Sequence, residues 1–588
     1  MSEQAVLTYH ALLVAWGQYA QATGLVQALE AVPLSQKTVL HRPQTKVIEF
    51  LVAILGGLEY LKDISLSAHP LDQDLAVARA WGQPAWADQS GVSRTLHSLS
   101  EREVRQLVQA TEQFCQPFID QEVTLALAGS RLELDGDHSP RPVSHNSTYP
   151  GAAYGYMNQD QVGLGYQAEI VSMGSPTYGR IGLSVAQRPG NTVSCTQALA
   201  LVEAAERRLQ HRPARRTDLL RQRIEGMQPQ RAHWQQKVEQ AQRNLNQAQA
   251  DWEATQQQLG EAQQSLQRLQ ESYRRQGRPE RPISQLAEAR HQVQVYEQRL
   301  VHRTCQLSQA QAWLEGQLDS LQQRERVIDQ LHQRLERFEA DNRANSAPIC
   351  AVFRLDSGFG TAENVALLIE MGYEVYSKPF GRWLSGWMRA QGADVNAWQR
   401  VGHNAEMVAW PAVSIQSFPY PLDLGIERFW VGGGYKLTGL LHFGVDPVTQ
   451  DLPAWFHYYN ARQTIEAANR EGKQVFEVHH LKVRAQPALQ LQEQFALFAA
   501  NFVRFASVWL AEQCPQVPDG WKESRHPCVK EQVKVGAHTS AYVTWNGPDC
   551  LLRFSTHSVF AGRSLSLGRI WIYQPVLPLM KSCLFPPI

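Results

Sequence analysis

Two runs of apolar residues spaced seven apart constrain this chain more than any other feature of it. Val238, Leu245, Trp252, Leu259, Leu266 and Tyr273 form one row, with Ala241, Ala248, Thr255, Ala262 and Leu269 three places later. Past RRQGRPERP the pattern resumes in Leu286, Val293, Leu300, Leu307, Leu314, Leu321, Ile328 and Leu335, with Ala289, Tyr296, Ala310, Leu331 and Phe338 in the companion row. A seven-residue apolar repeat keeps one stripe of a helix facing a partner helix, so it specifies a coiled coil. Gly277, Pro279 and Pro282 break the helix between arms of similar length. The simplest structure is an antiparallel hairpin over residues 228–342, inside a segment 201–345, with arms roughly 80 Å long at about 1.5 Å per residue. Two parallel arms, each pairing with another molecule, would satisfy the same repeat but need a longer linker path.

The remainder reads as α/β. Residues 1–115 carry apolar positions at three- and four-residue spacing and predict a helical domain. Within it, PAWADQSGVSRTLHSLSEREVRQL reads as helix, break, helix, with Ser90, Ser93, Arg94, Thr95 and His97 on an exposed face suited to DNA. A plain bundle with Ser and Asp caps is the alternative. From about residue 121, EVTLALAGSRLELDGDHS alternates and predicts a strand ending in acids. VGLGYQAEIVSM and YGRIGLSVAQ continue as strands, QRPGN is a turn, and a helix begins near Thr196. After the hairpin come a strand in ICAVFRLDSGFG and a helix in TAENVALLIEMGY. Gly432–Gly434 lacks the Lys-Ser/Thr ending of a phosphate-binding loop and predicts a turn or bulge.

At 588 residues, 43% of them hydrophobic, several domains are expected. Zero formal net charge excludes a uniformly basic surface but permits a local one, such as Arg207, Arg208, Arg212, Arg215, Arg216, Arg221 and Arg223. None of the eight scattered cysteines makes a C-x-x-C pair, which fits reduced thiols rather than a zinc ribbon. MSEQAVLTYH lacks a signal-peptide layout, and VIEFLVAILGGLEYL falls short of a membrane span. A soluble, cytoplasmic protein is expected.

The chemistry concentrates in YYNARQTIEAANREGK. Were the segment one helix, Tyr459, Arg462 and Glu466 would share a face, and Lys473 would return to it two turns on. One carboxylate between two cations and a phenol suits a phosphodiester site; a solvated amphipathic helix is the bland reading. This tyrosine-arginine-glutamate-lysine spacing resembles the signature of one large group of bacterial insertion-sequence transposases. FRLDSGFG followed by a helix is similar to that group's second-acid motif, and AQRPGNTVS resembles a turn between its first two acids.

The resemblance implies a ribonuclease-H-like core in three parts (116–200, 346–380 and 456–512), with a β-rich insertion over 381–455. The coiled-coil hairpin between the first two acids departs from the group's usual compact spacing, and the alternation in AYVTWNGPDCLLRFS predicts a β appendage over 513–588. It implies a catalytic triad of Asp137, Asp356 and Glu466. Asp137, followed two residues later by Ser139, fits the group's first acid better than Asp135, which stays as the alternative. Three gathered carboxylates repel unless a cation neutralises them, and oxygen ligands favour two Mg²⁺ or Mn²⁺ ions. Two ions about 4 Å apart serve an in-line displacement. Tyr459, Arg462 and Lys473 are then expected to bind DNA phosphates. The partners implied are double-stranded transposon ends and target DNA, at least two subunits acting on DNA at the nucleoid. The alternatives are a metal-dependent nuclease without strand transfer, and a non-catalytic coiled-coil DNA-organising protein.

Overall fold

A computed structural model describes residues 5–36, 40–158, 161–380, 386–387, 398–415, 417–513, 528–547, 549–554 and 564–567. It divides into two units, Met1–Ala214 with Ala347–Ile588, and Arg215–Ser346.

The first unit opens with β1 (Val6–Thr8), then α1 (Ala11–Ala22), α2 (Leu25–Glu30), α3 (Pro43–Leu55), α4 (Asp63–Leu66), α5 (Leu75–Ala80), α6 (Gln89–Ser98) and α7 (Glu101–Gly129). The N-terminal region is therefore mostly helical, as its periodicity predicts. Asp88 caps α6, and Ser100 with Glu103 forms a reciprocal capping box that starts α7. Thr95 departs from the expected exposed face. It is 1% exposed, and its hydroxyl donates to Gln36.

The helix α7 also corrects the strand expected from residue 121. Val123, Leu125 and Leu127 mimic a two-residue alternation, but the buried set is Cys115, Ile119, Glu122 and Val123, at helical spacing, while Leu125 is exposed. Glu122 is wholly buried because it accepts from Ser175 Oγ at 2.7 Å and from the Thr177 amide at 3.0 Å. The strand starts only at Leu132.

The main sheet is mixed. Its strands are β2 (Leu132–Pro142), β3 (Ala153–Asn158), β4 (Gln161–Ser175), β5 (Gly179–Pro189), β6 (Ala351–Leu355), β7 (Glu374–Ser377), β8 (Gln399–Arg400), β9 (Ala405–Val413), β10 (Leu422–Val431) and β11 (Gly434–Phe443). The order is β3-β4-β2-β6-β7-β11-β10-β9-β8, with β5 also on β4. β2, β6 and β7 are mutually parallel; β4 is antiparallel to β2 and β5. α8 (Ala198–Leu209) precedes the second unit, and α11 (Ala362–Glu370) makes the crossover from β6 to β7. The β-rich segment is the meander β8–β11, and residues 381–385, 388–397 and 416 of that expectation lie outside the described residues. Gly432 and Gly433 turn β10 into β11 with φ of 57° and 88°, the paired left-handed conformation that a two-residue hairpin demands.

The helices α12 (Leu452–Asn460), α13 (Gln463–Gln474), α14 (Gln486–Gln513) and α15 (Val529–Lys534) follow. α14 supplies Leu489, Phe495, Phe498, Phe502 and Phe505 to the core and packs on β5, α7, α3 and α1. It approaches β5 closely at Gly182, where a Cβ would lie 2.4 Å from Leu497 Cδ1 and displace that side chain. Asn501 holds the same backbone, accepting from the Gly182 amide and donating to its carbonyl at 2.8 Å each. The last strands, β12 (Ala541–Asn546), β13 (Asp549–Phe554) and β14 (Ser564–Leu567), join β1 in a separate four-stranded sheet. The rest of the expected appendage, 514–527, 548, 555–563 and 568–588, lies outside the described residues. No helix among the described residues is long and apolar enough to cross a membrane.

The second unit is an antiparallel pair, α9 (Thr217–Arg275) and α10 (Gln285–Ala344). At about 1.5 Å per residue each arm spans roughly 90 Å. Asp251 pairs with Arg303 at 3.0 Å, Arg231 with Glu325 at 3.2 Å, and Arg215 with Asp341 at 3.0 Å. The partner's number rises as the first falls, which fixes the antiparallel register. Ala241, Thr255, Leu259, Leu286, Ala289, Val293, Ile328, Leu331 and Phe338 are buried, all on the heptad rows. Three of the seven clustered arginines pair inside the chain: Arg208 faces Glu112, Arg215 Asp341 and Arg221 Glu339. The excised segment 215–346 is expected to give a predominantly helical circular-dichroism spectrum, and Leu331→Ala to lower its stability by about 2–4 kcal/mol in urea melts. A β or unfolded spectrum would reject the hairpin.

Candidate active site

Residues two apart on a strand share a face, so Asp135 and Asp137 of β2 point the same way. Their surroundings differ. Asp135 is wholly buried and saturated: Arg354 donates through Nε to Oδ1 at 2.7 Å and through Nη2 to Oδ2 at 2.9 Å, and Arg180 donates through Nη2 to Oδ2 at 2.6 Å. Both carboxylate oxygens are committed to guanidinium groups, which removes the alternative first acid from any ligand set.

Asp137 lies one step beyond that clamp. β2 and β6 pair in parallel as Asp135 with Arg354 and Gly136 with Leu355, so the next step of the register sets Asp137 beside Asp356. Asp356 follows directly on β6, where its Oδ1 accepts from the Gly358 amide at 3.0 Å. On the other side, Asn469 of α13 donates through Nδ2 to Asp137 Oδ2 at 2.7 Å. Arg462 stands between acids: Nη1 is 3.9 Å from Asp137 Oδ1, and Nη2 donates to Glu466 Oε1 at 3.3 Å. Glu466 is half-exposed, in the first turn of α13.

The charges register this crowding. Burial pushes the Asp137 carboxyl up to about 7, and the neighbouring charges of Asp356 and Glu466 push it the same way, against Arg462. Burial likewise raises Asp356; Arg462 opposes and Glu466 adds. Burial works against the Arg462 charge, yet Tyr459, Asp137, Asp356 and Glu466 together hold its pKa above the ordinary value. Three carboxylates and one guanidinium leave the cluster net negative, with oxygen donors only, a donor set that a hard divalent cation fits.

The four-residue signature does not lie on one continuous helix. Ala461 and Arg462 form a turn between α12 and α13. Tyr459, expected beside phosphate, is 2% exposed, and its hydroxyl donates to the Leu355 carbonyl at 3.0 Å. It anchors the turn to the end of β6. Arg462, also expected on phosphate, is 9% exposed and faces the acids. Lys473 is half-buried; burial and the Arg141 charge lower its pKa, while Asp137 and Glu493 oppose them. The turn after β5 reaches the site too, since Ser194 Oγ lies 3.1 Å from Nδ1 of His138.

Sequence reasoning missed Asn469, Arg354 and Arg180. Asn469 had a signal, being three residues after Glu466 on the same helical face. Arg354 had one as well, a lone charge inside the apolar run AVFRL. Arg180 had none. No protein-family model matches this chain, and none of the curated proteins matches it in sequence.

Two outcomes follow from the electrostatics. Asp135→Ala is expected to cost about 3–5 kcal/mol in denaturant melts, because it strands two buried guanidinium groups. The folded-state pKa of Asp137 lies above the usual carboxylate value, so its contribution to stability is full below about pH 4. That contribution is lost as pH rises through about 7. In chelator, Asp137→Asn is therefore expected to melt higher than the wild type above pH 7, by about 1–4 kcal/mol, and to match it near pH 4.

Proposed function

We propose that this protein is a DDE-type transposase of an insertion sequence, cutting the ends of its element and joining them to target DNA. The observation that carries the proposal is the convergence of Asp137, Asp356 and Glu466 around Arg462, from two parallel strands and a helix far apart in sequence. The sheet supports a ribonuclease-H-like core: β5, β4, β2, β6 and β7 lie side by side, the last three parallel, with Asp137 midway along β2, where its pairing with β6 ends, and Asp356 just after β6. The tyrosine-arginine-glutamate-lysine resemblance directs the reading to transposition rather than to hydrolysis alone.

Asp137, Asp356 and Glu466 would hold two Mg²⁺ or Mn²⁺ ions. Held there, the ions would supply Lewis-acid chemistry for an attacking hydroxyl and for the leaving oxygen of an in-line phosphoryl transfer. The chain's own groups prepare that site. Asn469 orients Asp137 through its hydrogen bond. Arg462 lowers the repulsion between Asp137 and Glu466 without cancelling the net negative charge. Tyr459 fixes the turn from which Glu466 projects. Lys473, one of whose charged neighbours is Asp137, is the group that would attract a DNA phosphate. Duplex DNA is the partner in this reading, engaged by two or more subunits at the nucleoid.

The test is cleavage of a labelled DNA fragment carrying the sequences that flank the gene, with Mg²⁺ or Mn²⁺, comparing the wild type with Glu466→Gln. Metal-dependent cutting at the element's ends is expected, reduced at least about a hundredfold in the variant. Cutting that survives the substitution would sink the assignment of Glu466.

A further inference from the structure

A second group of ligand-type side chains follows α13. Glu477, His479 and His480 bring one ligand atom each within 4.8 Å of one another. The His479 Nδ1 is 3.6 Å from Glu477 Oε2, and the His480 Nδ1 is 3.7 Å from the same oxygen. Glu59, from the loop between α3 and α4, brings Oε1 to 3.2 Å from the His480 Nδ1. We infer that Glu477, His479 and His480, completed by Glu59, form a binding site for zinc or a similar late first-row divalent cation. The inference does not rest on the proposed transposase activity.

The separations from Glu477 exceed those of N–H···O hydrogen bonds, about 2.7–3.2 Å. They are close to the roughly 3.3–3.4 Å between two ligands that are each about 2.0–2.1 Å from one tetrahedral zinc ion. Both Nδ1 atoms are enclosed and, among the described residues, have no hydrogen-bond partner. An imidazole nitrogen that faces a carboxylate without a hydrogen bond to it is an arrangement that a cation between the two would satisfy. The imidazoles are themselves only 3.9 Å apart between ring centroids.

The surroundings hold these groups in place. Lys534 Nζ donates to Glu477 Oε1 at 2.7 Å, which leaves Oε2 facing the histidines. A hydrogen bond with the Lys473 backbone fixes the His479 ring, the kind of support common for metal-bound imidazoles. Gln492 clamps the loop at both ends: it donates to the His480 carbonyl at 3.0 Å and accepts from the Lys482 amide at 2.9 Å. Glu477 takes a left-handed φ of 52°, which turns the chain tightly enough to bring its carboxylate over His479 and His480. Two imidazoles with carboxylates favour zinc-like cations, whereas the all-oxygen cluster around Asp137 favours magnesium. A cation bound here would fasten the segment behind the Glu466 helix to the corner after α3.

The test is zinc uptake by the full-length chain, titrated with zinc chloride in excess magnesium after chelator treatment and read by elemental analysis of the desalted protein. The wild type is expected to retain one zinc per chain. His479→Asn and His480→Asn should each weaken binding at least about tenfold, and the double variant should retain none. The Asp137→Asn, Glu466→Gln double variant should bind zinc as the wild type does. No retention by the wild type would overturn the inference, as would undiminished uptake by folded histidine variants. Loss of zinc only in the Asp137, Glu466 variant would assign the metal to the acid cluster and also overturn it. The wild-type result and the single variants keep the test decisive if the double histidine variant does not fold.

Discussion

The buried carboxylate of Asp135 and the two guanidinium groups that surround it are the constraint on which the acid-bearing face of the sheet depends. A charge taken out of water is costly unless it is paired and hydrogen-bonded, and Asp135 is both, through Arg354 on β6 and Arg180 on β5. The same arginines reach past the sheet. Arg354 donates to the Tyr458 carbonyl at 3.1 Å, and Arg180 to the Thr464 hydroxyl. One ionic knot thus joins three strands to the facing ends of α12 and α13, on either side of their turn. Asp137, two residues on and on the same face, and Glu466, two residues after Thr464, take their positions from it.

Beside that knot the opposite condition holds. Asp137, midway along β2, and Asp356, just past the end of β6, have one guanidinium between them and Glu466, so repulsion there is only partly compensated. The contrast between a neutralised carboxylate and an under-neutralised one, two residues apart, separates a structural acid from a cation-seeking acid. It also assigns Tyr459 and Arg462 their work: the phenol secures the backbone, and the guanidinium tempers the acids.

The hairpin is held together differently. Its stripe is narrow, and polar residues occupy heptad positions at Arg303 and Arg324. Each is accommodated at the rim, Arg303 against Asp251 and Arg324 over the Trp234 ring at 4.2 Å. A two-helix pair leaves such side chains a route to water, so charged residues interrupt the repeat without breaking the register.

Much of this was legible along the chain, and what was missed shares one cause. The heptads, the Asp88 cap, the glycine turn at Gly432–Gly433 and the strand carrying Asp356 are written in short-range spacing, because helix and strand periods and positive-φ turns are local properties of the backbone. The sequence by itself determined the coiled-coil hairpin, the mixed α/β character and three acids suited to one site. Only the tertiary structure decided that residues 122–129 continue a helix, since the burial of Glu122 depends on Ser175 and Thr177. It alone decided that β1 pairs with β12, across most of the chain's length. The choice between Asp135 and Asp137 was likewise beyond local spacing. Two aspartates on one strand face are equivalent until distant arginines saturate one of them, and that partnering exists only in three dimensions.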